Sequence, residues 1–168
     1  METAFTKGTL TISLIDVGGL RSERKKWLHC FDNVHAVVFV AAMSEYDQVL
    51  SEDADTNRMH ESLQLFSTIC NIKWFLKVPM LLFLNKKDVF DEKIVYSPLN
   101  QCFAEYTGEN NKFEASDYIW KRFTNLNQCD RGLYLHFTSA KDSQNINIVF
   151  DVVVDIIIHS NMTKLGFQ

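Results

Sequence analysis

The chain has 168 residues, of which 46% are hydrophobic and 23% charged, with a formal net charge of −4. This length and apolar share suit one globular α/β-sized domain with a real core, and the acidic balance removes a global electrostatic case for nucleic-acid binding. No apolar run reaches the roughly 18 residues of a membrane helix, no signal peptide or amino-terminal lipidation motif is written in the sequence, and four widely spaced cysteines without a C-x-x-C read as free thiols of a reducing compartment.

Residues 2–6 and 10–16 have the patterning of two strands, joined by a turn at Lys7-Gly8. Helical spacing follows over 21–32, with Trp27, Leu28 and Phe31 on one side. His35 to Ala42 is a continuous apolar run, which predicts a buried parallel strand. Residues 51–72 predict a long helix, from Met59, Leu63, Phe66 and Cys70 at spacings of three or four. A second buried strand is predicted over 79–84, with Pro79 at its first position. Residues 116–127 predict a helix carrying Tyr118, Ile119, Trp120 and Phe123, and 133–137 a strand. The last element is a strongly apolar helix over 146–160, through Val149, Phe150, Val153, Ile156 and Ile157, an apolar stripe expected to be core. Strands alternating with helices give a parallel α/β fold, with ligands at the carboxyl ends of the strands.

Three of the predicted strands end in loops suited to a charged ligand. The first reads Asp16-Val17-Gly18-Gly19-Leu20. Asp16 can hold a cation or its water, and Gly19 exposes a backbone N–H to phosphate with no side chain in the way. A glutamine at position 20 could orient an attacking water; the leucine here can neither donate nor accept. The second loop is Asn85-Lys86-Lys87-Asp88. The Asp88 carboxylate can accept two donors from a planar edge such as guanine N1 and N2. Asn85 can reach the base's other edge or tie neighbouring loops together, and the Lys86 stem can lie flat over the base. The third loop is Thr138-Ser139-Ala140-Lys141-Asp142, where the Ala140 N–H could donate to guanine O6; adenine carries a donor at that position. Singly, each loop also reads as a turn or a helix cap. All three, each directly after a separate strand, favour a guanine-nucleotide site. The basic cluster Arg21, Arg24, Lys25 and Lys26 opposes the dipole of the helix it opens, and beside Trp27 it reads as a partner surface over a solvated face.

Asp16-Val-Gly-Gly-Leu-Arg-Ser-Glu-Arg-Lys-Lys-Trp27, followed by His29-Cys30-Phe31, resembles switch II of heterotrimeric G-protein α subunits. Asn57-Arg-Met-His-Glu-Ser62 and Phe83-Leu-Asn-Lys-Lys-Asp88 are similar to further segments of that family, and the resemblance covers the whole chain. Small Ras-like GTPases share the nucleotide loops but neither the switch II text nor the Asn57–Ser62 segment. The resemblance implies a P-loop GTPase (Ras-like) three-layer α/β fold with a mostly parallel sheet, residues 1–168 being the carboxyl-terminal part of that domain.

It implies a guanine-nucleotide-binding signalling switch that couples receptors to effectors, with GTP or GDP and Mg²⁺ as ligands. Asp16 would hold Mg²⁺ through water, and the Gly19 N–H, within Val17-Gly18-Gly19-Leu20, would contact the γ-phosphate. Asn85, Lys86, Lys87 and Asp88, with Ser139, Ala140 and Lys141, would hold the base. Arg24, Lys26, Trp27 and Cys30 would lie in the surface presented to the Gβγ dimer and to effectors, with GTPase-accelerating proteins among the partners. Leu165, Gly166 and Phe167 would end the helix that contacts a G-protein-coupled receptor. Leu165 stands where the family often has cysteine. The intact subunit would sit in the cytoplasm at the inner face of the plasma membrane, held there by partners or by a lipidated amino terminus.

Two departures qualify this. Leu20 occupies the position of the catalytic, water-orienting glutamine, so GTP hydrolysis is expected to be very slow and the switch persistently active. The Gly-x-x-x-x-Gly-Lys-[Ser/Thr] phosphate loop, switch I and the inserted helical domain do not occur in these 168 residues. The first strand of the fold, central between 10–16 and 35–42, would then be missing, and nucleotide affinity of this chain alone would be poor. The rival expectation is a truncated, non-catalytic α-like module that binds Gβγ, effector or receptor without nucleotide switching.

Overall fold

In the computed structural model, which describes residues 1–139, 141, 151–159 and 162, the chain divides into two units, Met1–Val34 and His35–Gln168. The first unit opens with an antiparallel hairpin of β1 (Glu2–Lys7) and β2 (Leu10–Ile15), with Glu2 opposite Ile15 and Lys7 opposite Leu10. Its turn falls at Gly8-Thr9, one residue later than expected, because Gly8 takes φ +61°, a conformation free of steric cost only without a Cβ. The predicted helix over 21–32 is a 3₁₀ helix, Arg21–Cys30, with no buried residue and Leu28 58% exposed. Its first six residues are polar or charged and present no apolar face, and a three-residue repeat separates Trp27 from the line of Leu28 and Phe31.

The second unit is built on a parallel sheet of β3 (Val37–Ala42), β4 (Met80–Asn85) and β5 (Leu133–Phe137), in the order β3-β4-β5. Met80, Leu81, Leu82 and Leu84 are fully buried, as a strand covered on both faces requires. Pro79 precedes this strand instead of opening it, and its carbonyl accepts the Val37 N–H at 3.0 Å. The run predicted as a buried strand over 35–42 is parallel but only partly covered, with Val40 56% exposed. Among the described residues β3 pairs with β4 alone, so it is an edge.

Helix α1 (Arg58–Cys70) starts seven residues later than the predicted 51–72. Asp53 accepts from the Asp55 N–H at 3.2 Å and from the Thr56 hydroxyl at 2.7 Å, a local turn that competes with helix. Asn57 then caps the helix, accepting from Met59 N at 2.8 Å and His60 N at 3.2 Å, while its amide donates to Tyr46 O at 2.6 Å. The short α2 (Lys87–Lys93) follows β4 directly. Helix α3 (Lys112–Thr124) begins four residues earlier than predicted, because Asn111 caps it through Phe113 N and Glu114 N, both at 3.0 Å. Residues 151–159 are helical within the predicted 146–160; Val149 and Phe150 lie outside the described residues. In that helix the buried side chain is Val154, while Val153, Ile156 and Ile157 are half-buried, so the expected core stripe is shifted in phase.

Phe39 on β3, Phe66 on α1 and Phe123 on α3 stack edge to face, with centroids 5.2 and 5.4 Å apart, and join the sheet edge to both helices. Four free cysteines are present, and no described helix is long and apolar enough to cross a membrane.

Asn57 both caps α1 and fastens it to the loop after β3, so Asn57→Ala is expected to lower stability by about 1–3 kcal/mol. Asn57→Ser should recover the capping share and lose less. Urea unfolding checks this; an unchanged midpoint in the alanine variant contradicts it.

Candidate functional site

The parallel register sets Ala42 beside Asn85, and Leu84 beside Phe137, so the three strands of the second unit end at one level. Two of the loops singled out in the sequence leave from that level. Lys86 turns the chain from β4 into α2 in the left-handed conformation, φ 58° and ψ 37°. A side-chain-bearing residue there carries strain of the order of 1 kcal/mol. Surrounding bonds hold the turn. Lys87 N–H donates to Thr138 O at 3.1 Å, Thr138 N–H to Leu84 O at 2.9 Å, and the Thr138 hydroxyl to Asn85 Oδ1 at 3.2 Å. Thr138 is buried. Asn85 therefore ties the second loop to the third.

Asp88 lies in the first turn of α2, where a carboxylate is favoured by the helix dipole. Slight desolvation pushes its carboxyl up, but hydrogen bonds from the Val89 N–H and the Ser139 hydroxyl, with the Lys141 charge, bring it below the usual carboxylate range. Lys141 Nζ is 3.8 Å from Asp88 Oδ2. Asp88, Ser139 and Lys141 thus meet, although 51 residues separate Asp88 from Ser139. Lys87 contributes its backbone to this junction, while its ammonium pairs with Asp91 one helical turn on. Ala140 lies outside the described residues, as do Leu165, Gly166 and Phe167.

Sequence reasoning missed Glu45, in the loop after β3. Its carboxylate takes Lys86 Nζ at 2.5 Å on one oxygen and Arg58 Nη1 at 3.1 Å on the other, joining the Lys86 turn to the start of α1. Burial pushes this carboxyl up, but the hydrogen bonds and charges of Lys86 and Arg58 outweigh it and leave it lowered. Asp47, two residues on, accepts from Lys93 and from the Ser97 hydroxyl and is lowered on balance in the same way. The available signal was topological: Glu45 follows a parallel strand's carboxyl end, as the other two loops do.

In the first unit, Asp16 follows β2, and its main chain exchanges hydrogen bonds with Met1, at 2.7 and 2.8 Å. Trp27 Nε1 donates to Gly18 O at 2.9 Å and Arg24 Nε to Gly19 O at 3.4 Å, so the 3₁₀ helix folds back on the two glycines. A Cβ at Gly18 would run into the Glu23 carboxylate, whereas one at Gly19 would meet nothing within 4 Å. The space beside the Gly19 peptide is open. Leu20 is 50% exposed, Lys26 lies 3.7 Å from Glu23, and Cys30 is half-buried. Among the described residues no group of three or more His, Cys, Asp or Glu side chains converges to hold a metal. Asp16 is exposed and supplies a single carboxylate. That donor set fits a magnesium ion that keeps its waters and takes its other ligands from phosphate oxygens.

A model of the G-protein alpha subunit family matches residues 1–157. This chain belongs to that family. It is 54% identical over 171 residues to "Guanine nucleotide-binding protein alpha-16 subunit" of Caenorhabditis elegans, across 99% of this chain and 48% of that protein. It is also 54% identical to "Guanine nucleotide-binding protein G(o) subunit alpha" of the same organism, across 99% of this chain and 47% of the relative. The Gα-family chain spans about half the length of these curated relatives. Its three-stranded parallel sheet, with α1 packed on β3 and α3, agrees with the α/β architecture of a P-loop GTPase-like fragment.

The Glu45 and Asp47 pairs give this family member an acid-labile site. Both carboxyls are lowered on folding, so their stabilisation is complete above the ordinary carboxylate range and is lost as pH falls through the lower folded values. Glu45→Gln is expected to cost about 1–2 kcal/mol at neutral pH, and together with Asp47→Asn to flatten the acid side of the stability curve. Urea unfolding at neutral pH and near pH 3 checks this; an acid slope equal to that of the parent chain contradicts it.

Proposed function

We propose that this chain is the carboxyl-terminal part of a guanine-nucleotide-binding signalling subunit, coupling receptors to effectors, with GTP hydrolysis impaired at Leu20. The observation that carries the reading is the meeting of Asp88, Ser139 and Lys141 beside the Asn85–Thr138 tie, at the carboxyl ends of parallel strands, in a chain of this family. A carboxylate kept ionised at that point accepts the N1 and N2 donors of guanine and repels the acceptor that adenine presents at N1. Asn85, Lys86 and Lys87 shape the base loop, and Ala140 offers its N–H to guanine O6. The Lys86 stem covers the base face, with Glu45 holding its ammonium.

In the first unit the Gly19 N–H is the donor for a γ-phosphate, next to Val17 and Gly18, and Asp16 orients a water of Mg²⁺. When bound, that ion neutralises phosphate charge. Trp27 holds the Gly18 carbonyl and Arg24 the Gly19 carbonyl, which leaves the N–H of the Gly18–Gly19 peptide as the donor for a γ-phosphate. At position 20 the water-orienting amide is replaced by a side chain without polar atoms, so the attacking water loses its positioning partner. Arg24, Lys26, Trp27 and Cys30 are assigned to the surface for Gβγ, effectors and GTPase-accelerating proteins. Leu165, Gly166 and Phe167 are assigned to the receptor, and the site of action to the inner face of the plasma membrane.

A second reading, a non-catalytic α-like module that binds the same partners without nucleotide switching, draws on one observation. The 168 residues contain no Gly-x-x-x-x-Gly-Lys-[Ser/Thr] segment, the main phosphate cradle of such sites. Trp27 fluorescence separates the two: a response to guanine nucleotide supports the switch, and partner binding with no response supports the module.

The chain is expected to bind GDP weakly but in preference to ADP, and Asp88→Ala to remove that preference by tenfold or more, roughly the value of an unpaired buried donor set. Equilibrium dialysis measures it, and equal binding of the two nucleotides by the parent chain contradicts the base site. In single-turnover GTP hydrolysis, Leu20→Gln is expected to be faster than the parent by about 10²-fold. Equal rates would remove Leu20 as the cause of slow hydrolysis.

A further inference from the structure

At the amino ends of the parallel strands, the end of α1 and the segment entering β5 are laced together around two thiols. Cys70, the last residue of α1, is fully buried, and Cys129 is half-buried. Cys129 Sγ lies 3.9 Å from Cys70 O and 3.7 Å from Asn71 Oδ1. Cys70 Sγ lies 3.4 Å from Asn127 Oδ1, and the same oxygen accepts the Cys129 N–H at 3.4 Å. Asn71 adds two more bonds, its amide to Leu126 O at 2.9 Å and its oxygen from Gln128 N–H at 3.0 Å. Standard bond lengths then put Cys129 Sγ within about 6.3 Å of the Cys70 Cα. A bond between the two sulfurs requires both side chains to rotate toward each other, with the bridged Cα atoms about 4.4–6.8 Å apart.

The surroundings divide the two sulfurs into different jobs. Cys129 is the accessible one. Cys70 is the buried one and has a cation beside it: Arg131 Nη2 is 3.2 Å from Cys70 Sγ and also donates to Cys70 O. The Arg131 Nε is buried, and among the described residues no acceptor satisfies that donor. Burial pushes the Cys70 thiol up, and the Arg131 hydrogen bond and charge recover part of that shift. At Cys102 burial outweighs the lowering effect of the Arg122 charge and pushes the thiol up to about 12, so it is the less reactive thiol under the same conditions. Cys30 belongs to the first unit.

We propose that Cys70 and Cys129 are a reversible dithiol–disulfide pair whose oxidant is a low-molecular-weight disulfide, RSSR. The Cys129 thiolate attacks one sulfur of RSSR, the S–S bond breaks, and RS⁻ leaves and takes up a proton. Cys70, having lost its proton, attacks Cys129 Sγ in the mixed disulfide and expels the second RS⁻. The protein loses two protons and two electrons, and RSSR is reduced to two RSH. The bond joins the end of α1 to the chain entering β5, the strand whose other end leads into Thr138 and Ser139.

The test treats the full chain with oxidised glutathione, blocks remaining thiols with N-ethylmaleimide and digests with trypsin without reductant. The expected product is peptide 59–73 linked to peptide 123–131, two hydrogens lighter than their sum. Cys30 and Cys102 should stay alkylated, and the melting temperature should rise by several degrees. In Cys129→Ser the link should vanish and Cys70 be recovered alkylated. In urea-unfolded parent chain the same treatment should give no preference for this pair. Four alkylated cysteines, glutathione retained on Cys129 alone, links scattered over Cys30 or Cys102, or an equal yield from unfolded chain would each overturn the proposal. The native-against-unfolded comparison needs no variant, so a misfolded Cys129→Ser leaves it decisive.

Discussion

Strand β4 is the constraint on which the second unit depends. Met80, Leu81, Leu82 and Leu84 are fully buried, and both sides of the strand are hydrogen-bonded to parallel neighbours. Slipping its register by one residue would exchange the two faces of a strand that is apolar on both, and would also break the ladder to β3 and β5 together. With the register locked, Asn85 is the first residue past the buried run, and the polar chemistry starts there. The loops after β3, β4 and β5 leave from one level because β4 holds its neighbours level. The Glu45–Lys86, Asn85–Thr138 and Asp88–Lys141 contacts are consequences of that alignment.

The polar ties do different work from the apolar core. Four fully buried leucines, isoleucines and phenylalanines more or less would change how stable the unit is, but not where Lys86 points. Glu45 sets that direction, and Asp47 anchors the far end of α2 through Lys93. They pair with cations from three different segments, Arg58, Lys86 and Lys93, while still partly reached by water. Such pairs add little net stability where solvent screens them, and more where hydrogen bonds share the charge, as both oxygens of Glu45 do. Their main product is placement: a left-handed Lys86 is tolerable because its two flanks are held.

Strong local signals were legible in the sequence. The apolar run ending at Leu84 and the Asn85–Asp88 loop after it were readable because burial on both faces and an abrupt polar stop are written contiguously. β5 was equally plain. What could not be read depended on competition between local bonds. Asp53 takes the Thr56 hydroxyl and stops the helix pattern that the apolar spacing extended back to 51, and Asn57 then restarts it. Asn111 does the reverse for α3, adding a turn that apolar spacing alone did not mark. The segment 21–30 misled for a third reason. Its charged first half gives periodicity nothing to act on, and the backbone settles into a 3₁₀ helix closed by Trp27 and Arg24 on glycine carbonyls. Glu45 was invisible because it acts through Arg58 and Lys86, both more than ten residues away.

The two poles of the parallel sheet are thus built on opposite principles. At the carboxyl ends, ionised groups sit near the surface, still partly reached by water, which suits a ligand that must come and go. At the amino ends, Arg131 gathers the carbonyls of Cys70, Phe75 and Val78 around two thiols, and one of its own N–H groups has no acceptor among the described residues. A guanidinium so enclosed would be a poor choice for stability alone, since its desolvation is offset only by neutral carbonyls. Its position gains a physical reason when the Cys70 sulfur beside it carries charge, because the cation then has the anion that its buried fork otherwise lacks.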